Sequence, residues 1–262
     1  MKNDIMQFMA EFHENGRLVK GLNCSFATLI PKKECPTSIL DYRPISLINS
    51  IYKILLKVLA CKLKMVIPSI ISPAQSTFLS GRNIVDGILV ANEVVDWWKK
   101  SKKSGLIIKL DFEKAYDTVN WEYLFNMLRK FGFETKWVDW LRICLSSARI
   151  SFLVSGSPSE EVFPQKGLRQ GDLISPFLFN IPAEGLNMLL SRAKELRLIR
   201  GVTVGADGPN LSHLQFADDI ILFCEVHWEE ITNVKRLLRC FEVVSGLKIN
   251  YHKNLVSGVG IE

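Results

Sequence analysis

Along this chain the spacing of apolar residues switches repeatedly between the period of a helix and the period of a strand. Ile5, Phe8, Met9 and Phe12 recur at helical spacing within residues 1–20, and Gly16 stands near the end of that stretch. A short apolar run at 25–30 reads as a strand stopped by Pro31, and residues 31–44 read as turns. Asn49 or Ser50 then caps a helix with Ile51, Ile54, Leu55, Val58, Leu59 and Leu63 on its apolar face and Pro68 at its end. The spacing predicts another helix over 84–99, burying Ile84, Ile88, Val95 and Trp98, before a basic turn at 99–103.

Residues 106–112 read as a strand whose alternation puts Ile107, Lys109 and Asp111 on one face, with Asp111 at the exit. A helix capped by Asn120 and closed near Gly132 follows, then two strands within 148–163 around Gly156-Ser157-Pro158. Ser175-Pro176 starts a further helix, in which Pro182 is expected to force a kink or cost about 3 kcal/mol. Leu214-Gln215-Phe216 and Ile220-Ile221-Leu222-Phe223 flank a polar break, which reads as a β-hairpin with Asp218 and Asp219 paired at its tip. Asp-Asp is a poor tight turn, because neither residue relieves a positive φ as glycine does. A fold that accepts such strain has another use for the residues, and holding divalent metal is one. A helix at 228–245 and a strand at 247–250 complete the series, without internal repeats or a linker.

A length of 262 residues with 48% hydrophobic content is enough for a sizeable core. The formal charge of +6 makes an acidic polymer a plausible partner. Six cysteines fall in no Cys-x-x-Cys pair and at no zinc-site spacing with the four histidines, so reduced thiols and an intracellular location are expected. No apolar run reaches membrane-spanning length, and no membrane partner is expected.

The chemistry sharpens when the acidic segments are taken in order. Lys109-Leu110-Asp111-Phe112-Glu113-Lys114-Ala115-Tyr116-Asp117, Gly167-Leu168-Arg169-Gln170-Gly171-Asp172 and Phe216-Ala217-Asp218-Asp219 resemble the successive motifs of reverse transcriptases of plant LINE-type (non-LTR) retrotransposons. Arg43-Pro44-Ile45-Ser46 and the segment from Gln75 to Arg82 resemble the upstream fingers motifs, and Gly246 to Lys253 the one after the catalytic hairpin. The resemblance departs at Leu173-Ile174, where the family usually has Pro-Leu, and at Pro182.

The resemblance implies an α+β fold: a polymerase-type palm with an antiparallel sheet and packed helices, plus a largely helical fingers region. Residues 1–20 would form an N-terminal helical segment and 21–262 an interleaved fingers-and-palm domain without the thumb. It implies RNA-directed DNA synthesis, with RNA template, DNA primer and dNTP as partners and two Mg²⁺, or alternatively Mn²⁺, as cofactors. Asp111, Asp218 and Asp219 would be the catalytic carboxylates and metal ligands, joined by the backbone carbonyl of Phe112. Tyr116 would lie beside the sugar of the incoming nucleotide, Gln170 near that nucleotide, Arg43 and Arg82 at its triphosphate, and Lys253 at the leaving pyrophosphate. A non-catalytic nucleic-acid-binding remnant is the alternative.

Overall fold

The computed structural model describes residues 2–77, 79, 81–205 and 208–260, and of Ile84 the backbone only. Phe78 and Ser80, within the upstream motif that ends at Arg82, and the expected buried side chain of Ile84 therefore lie outside the described residues. In chain order the described elements are α1 (Lys2–Asn15), β1 (Cys24–Pro31), a 3-10 turn (Ile39–Asp41), β2 (Tyr42–Ile48), α2 (Ser50–Ile70), α3 (Ile84–Ser101), β3 (Gly105–Leu110), β4 (Phe112–Glu113), α4 (Ala115–Thr118), α5 (Trp121–Lys130), α6 (Thr135–Ser146), β5 (Arg149–Val154), β6 (Ser157–Pro158), α7 (Ser175–Glu195), β7 (Val202–Thr203), β8 (Asn210–Leu211), β9 (His213–Phe216), β10 (Asp219–Glu225), α8 (Trp228–Ser245), β11 (Lys248–Ile249) and β12 (Leu255–Val259). They form two compact units, each drawn from two stretches of chain: Met1–Met65 with Trp121–Leu178, and Val66–Asn120 with Phe179–Glu262.

The first unit carries a sheet in the order β2-β1-β5-β6, with β1 antiparallel to β2 and parallel to β5. Strand β2 occupies part of the segment expected to be turns. Its Pro44 is accommodated because β2 is the edge strand, where a missing N–H breaks no interior ladder. Helix α2 begins after Asn49, whose side chain accepts the Ile51 N–H at 2.9 Å, and it runs on past Pro68. Its buried face is Tyr52, Leu55, Leu56, Leu59 and Leu63, whereas Ile51, Ile54 and Val58, expected on that face, are exposed. Tyr52 fixes the rotation: its hydroxyl donates to the Cys144 carbonyl at 3.1 Å, and the Arg169 guanidinium lies 5.3 Å over its ring.

The second unit is built on a wholly antiparallel sheet, β12-β3-β10-β9, with the helix-on-sheet packing expected of a palm. Trp98 and Val94 of α3 bury themselves with Phe223, Val202 and Val259, and the Trp98 and Phe223 rings meet edge-on at 6.3 Å. Ile88, expected to be buried on α3, is 54% exposed. Helix α7 is unbroken through Pro182, which is itself buried. The Phe112 ring packs at a tilt against Phe241 of α8, with ring centroids 6.0 Å apart, tying the residue after Asp111 to that helix.

Helix α8 ends at Gly246, whose φ of +78° is the left-handed cap that glycine adopts without strain. A Cβ there would sit 2.6 Å from the Thr118 carbonyl oxygen. Gly246→Ala is therefore expected to destabilise the protein by about 2 kcal/mol, from backbone strain plus the collision. Denaturant titration compared with an alanine substitution at exposed Lys248 checks it, and equal midpoints would show the position to be permissive.

Candidate active site

Antiparallel pairing of β3 with β10 runs from Gly105↔Glu225 to Leu110↔Ile220. Continuing that register by one residue sets Asp111 opposite Asp219 at the end of the ladder. The adjoining hairpin pairs Asp219 with Phe216, so its two-residue turn is Ala217-Asp218. This corrects the expectation that both aspartates form the tip: Asp218 is in the turn, and Asp219 opens strand β10. The strain foreseen from the Asp-Asp pair falls on neither of them. Ala217 carries the positive φ, +54°, the sign pattern of a type II′ turn with its usual glycine replaced.

The three carboxylates differ in their surroundings. Lys253 Nζ lies 3.4 Å from Asp111 Oδ2, and Lys109 Nζ lies 3.1 Å from Asp219 Oδ1. Lys109 and Asp219 border a cavity of about 480 Å³, walled by Asp86 and Ile88 of α3 and by Ile221. Asp218 is instead the nearby charge felt by Tyr116, whose ring stacks on Phe179 at 4.9 Å and 12°. Burial, and then the Asp218 charge, push the Tyr116 hydroxyl up to about 12, so it stays protonated.

In kind, the donor set fits a hard divalent ion: carboxylate oxygens without nitrogen or sulfur ligands. Among the described residues, however, no three or more His, Cys, Asp or Glu side chains form a group able to hold a metal ion. The three-way convergence expected from the sequence is not assembled here. Like-charged carboxylates repel one another, and Asp111 and Asp219 are each neutralised by a lysine. Phe112, the expected carbonyl ligand, is buried in β4 opposite Ile249.

Lys253 thus reaches Asp111 itself. Arg82 is committed elsewhere: its Nη1 donates to the Ser72 carbonyl and, at 2.6 Å, to that of Gln75, and its Nη2 donates to Ile71 O at 3.0 Å. These bonds hold the 71–75 loop and engage the guanidinium that the resemblance assigns to triphosphate.

Arg43 and Gln170 belong to the first unit. Arg43 is exposed on edge strand β2. The Gln170 carbonyl accepts the Ser46 N–H at 2.9 Å, and at Gly171, where φ is +95°, a Cβ would approach the Ser46 carbonyl to 3.0 Å. This loop is stapled by a buried pair, Arg169 to Asp172 at 3.3 Å. Burial pushes the Asp172 carboxyl up against the opposing pull of Arg169. Asp172 Oδ1 also accepts the Ile174 N–H at 3.0 Å just before α7.

Two residues at the hairpin escaped the sequence reading. Gln75 was placed in a motif without a role, and it bonds to Ala217. Lys109 opens the first motif and shares a strand face with Asp111, but the motif gives it no role. Its position two residues before Asp111 was the available signal, since residues two apart on a strand share a face.

With this geometry in place, comparison with known proteins is specific. The chain matches the reverse transcriptase (RNA-dependent DNA polymerase) family over residues 30–257. It is 27% identical over 254 residues to the transposon TX1 uncharacterized 149 kDa protein of Xenopus laevis, covering 96% of this chain and 19% of that protein. It is 28% identical over 244 residues to the retrovirus-related Pol polyprotein from type-2 retrotransposable element R2DM of Drosophila melanogaster, covering 93% and 22%. The chain therefore spans about a fifth of the length of these two relatives. Apo telomerase from Candida tropicalis, truncated from its C-terminal domain, shares the fold with a TM-score of 0.63 at 17% identity, over 92% of this chain and 51% of that one. Ordered motifs, the paired strands that carry the aspartates and the matched span agree: the chain belongs to the reverse transcriptase family, and it is similar to proteins of the TX1 transposon and the R2 retrotransposable elements.

Proposed function

We propose that this chain is the polymerase portion of a plant LINE-type element and catalyses RNA-directed DNA synthesis inside the cell, adding dNTPs to a DNA primer on an RNA template. The observation that carries the reading is the strand register that sets Asp111 opposite Asp219 beside the strained turn bearing Asp218. In the reaction, the primer 3′-hydroxyl attacks the α-phosphorus of the dNTP and pyrophosphate leaves. Bound Mg²⁺ or Mn²⁺ would supply charge neutralisation and polarise the reacting oxygens. Asp111 and Asp218 would hold the divalent ions, with the Phe112 carbonyl as a further donor, while Asp219 stays with Lys109. Lys253, already beside Asp111, would turn its ammonium toward the departing pyrophosphate and neutralise the charge that develops on its oxygens. Gln170 and Arg43 would contact the nucleotide, and Arg82 would serve it through the 71–75 loop.

Primer extension on an RNA template with dNTPs and Mg²⁺ or Mn²⁺ tests the proposal. Product is the expected result. Tight binding of primed RNA without product would favour the nucleic-acid-binding remnant, a reading that the lysine-neutralised carboxylates support. Binding itself should weaken with salt, with a log–log slope of roughly −0.7 to −0.9 per phosphate neutralised, and a flat salt response would count against phosphate recognition.

Tyr116 is expected to exclude ribonucleotides. Its ring is fixed by the Phe179 stack, so its position is not adjustable around a 2′-hydroxyl. Tyr116→Ala should raise the ratio of ribonucleotide to deoxynucleotide incorporation by about tenfold or more, corresponding to at least ~1.4 kcal/mol of discrimination. An unchanged ratio in a folded, active variant would leave Tyr116 as a packing residue only.

A further inference from the structure

We infer that Gln75 is a positioning residue that grips the strained Ala217 peptide and thereby fixes how the hairpin presents Asp218; the role given to Asp218 rests on the polymerase reading above. Gln75 is 1% exposed, and its Oε1 accepts two backbone N–H groups, from Ala217 at 3.1 Å and from Thr77 at 3.0 Å. Its Nε2 reaches the Ala217 carbonyl at 3.5 Å, where Gln215 Nε2 also donates at 3.2 Å. Both backbone polar groups of Ala217 are thus held by glutamine side chains. A fixed donor and a fixed acceptor on one residue determine the plane of the turn.

The backbone around Gln75 is anchored in turn. The Gln215 N–H donates to the Ala74 carbonyl at 2.8 Å, and the Ser76 N–H donates to the Gln215 carbonyl at 3.1 Å, so residues 74–76 run along the outer edge of β9. Arg82 holds the Gln75 carbonyl from the other side. The chain of contacts runs from Arg82 through Gln75 to Ala217 and ends one residue before Asp218.

This arrangement accounts for alanine in a left-handed turn. A non-glycine residue persists at positive φ only where its surroundings over-determine it, and here they supply partners for both of its peptide groups. Without Gln75 the half-buried Ala217 N–H would lose its partner, and the turn would relax toward negative φ.

The test uses the full chain with Gln75→Leu, which conserves bulk and removes both amide functions. Amide hydrogen exchange is expected to speed up at Ala217 by at least about tenfold while Leu222 and Phe223 stay protected, marking a local release. In primer extension, kcat should fall by at least about tenfold, with the KM for dNTP and the affinity for primed RNA unchanged within about twofold. Adding Ala217→Gly to Gln75→Leu should recover part of that loss, because glycine holds positive φ unaided; a generic core defect would not respond. Unchanged exchange at Ala217, or acceleration spread equally through β9 and β10, would overturn the inference. If Gln75→Leu does not fold, Gln75→Met, unbranched and of similar length, is judged by the same criteria. Wild-type protein that extends no primer would defeat the polymerase reading alone, and Ala217 exchange would still decide the role of Gln75.

Discussion

Asp218→Asn should reduce single-turnover primer extension roughly a thousandfold, because losing a carboxylate that anchors transition-state charge costs several kcal/mol. Asp219→Asn should cost far less, about tenfold, since in the protein that carboxylate faces Lys109 at 3.1 Å while Asp218 is the one felt by Tyr116. Asp219→Asn should alter thermal stability little, as the Lys109–Asp219 pair is half-exposed and exposed pairs contribute little. Binding of primed RNA should survive both substitutions. Equal losses of rate for the two variants would overturn the division of labour between the adjacent aspartates.

Acid should weaken the fold through His213. This residue is buried, its Nδ1 lies 3.0 Å from Ser212 Oγ, and its Nε2 has no hydrogen-bond partner among the described residues. Burial, reinforced by the Lys194 charge, pushes the imidazole down to about 4. Between about 6.5 and 4 the unfolded chain takes up a proton that the folded chain refuses, so stability falls as pH falls through that window. The loss should approach about 3 kcal/mol near pH 4 and level off below it. Buried Asp172 and Glu184 are shifted upward and act in the opposite sense, so the measurement is the difference between wild type and His213→Gln in denaturant titrations from pH 7 to pH 4. A difference independent of pH would show that His213 accepts its proton in the folded state.

Much of this arrangement is legible in the chain because local signals and tertiary needs coincide. Strand β3, the hairpin and α8 are bounded by their own apolar periodicity, and the motif residues fall at their ends. The missed strand β2 shows the converse: Pro44 argues against a strand until the neighbouring pairings reveal an edge position. Helix α6 is not signalled by the apolar pattern although Val138, Leu141, Cys144 and Leu145 are buried at helical spacing, because its aromatic and charged neighbours blur the stripe. On α2 the periodicity was right and the rotation wrong, since a choice between faces sharing Leu55, Leu59 and Leu63 depends on the distant Cys144 carbonyl. At the site, residue types pointed to the carboxylates. Which lysine neutralises which aspartate, and that Ala217 bears the strain, emerge only from the pairing register.

Construction of each unit from two separated stretches also governs when the protein can fold during synthesis. Strand β1 emerges from the ribosome long before β5, its parallel neighbour, and β3 waits for β10 and β12 in the same way. Closing such long loops delays the gain from burial, which slows folding and prolongs the exposure of unpaired strand edges. Nascent chains should therefore remain protease-sensitive until the last strands are available, and the yield of soluble protein should depend more on slow translation and chaperone supply than the stability of the finished fold would suggest.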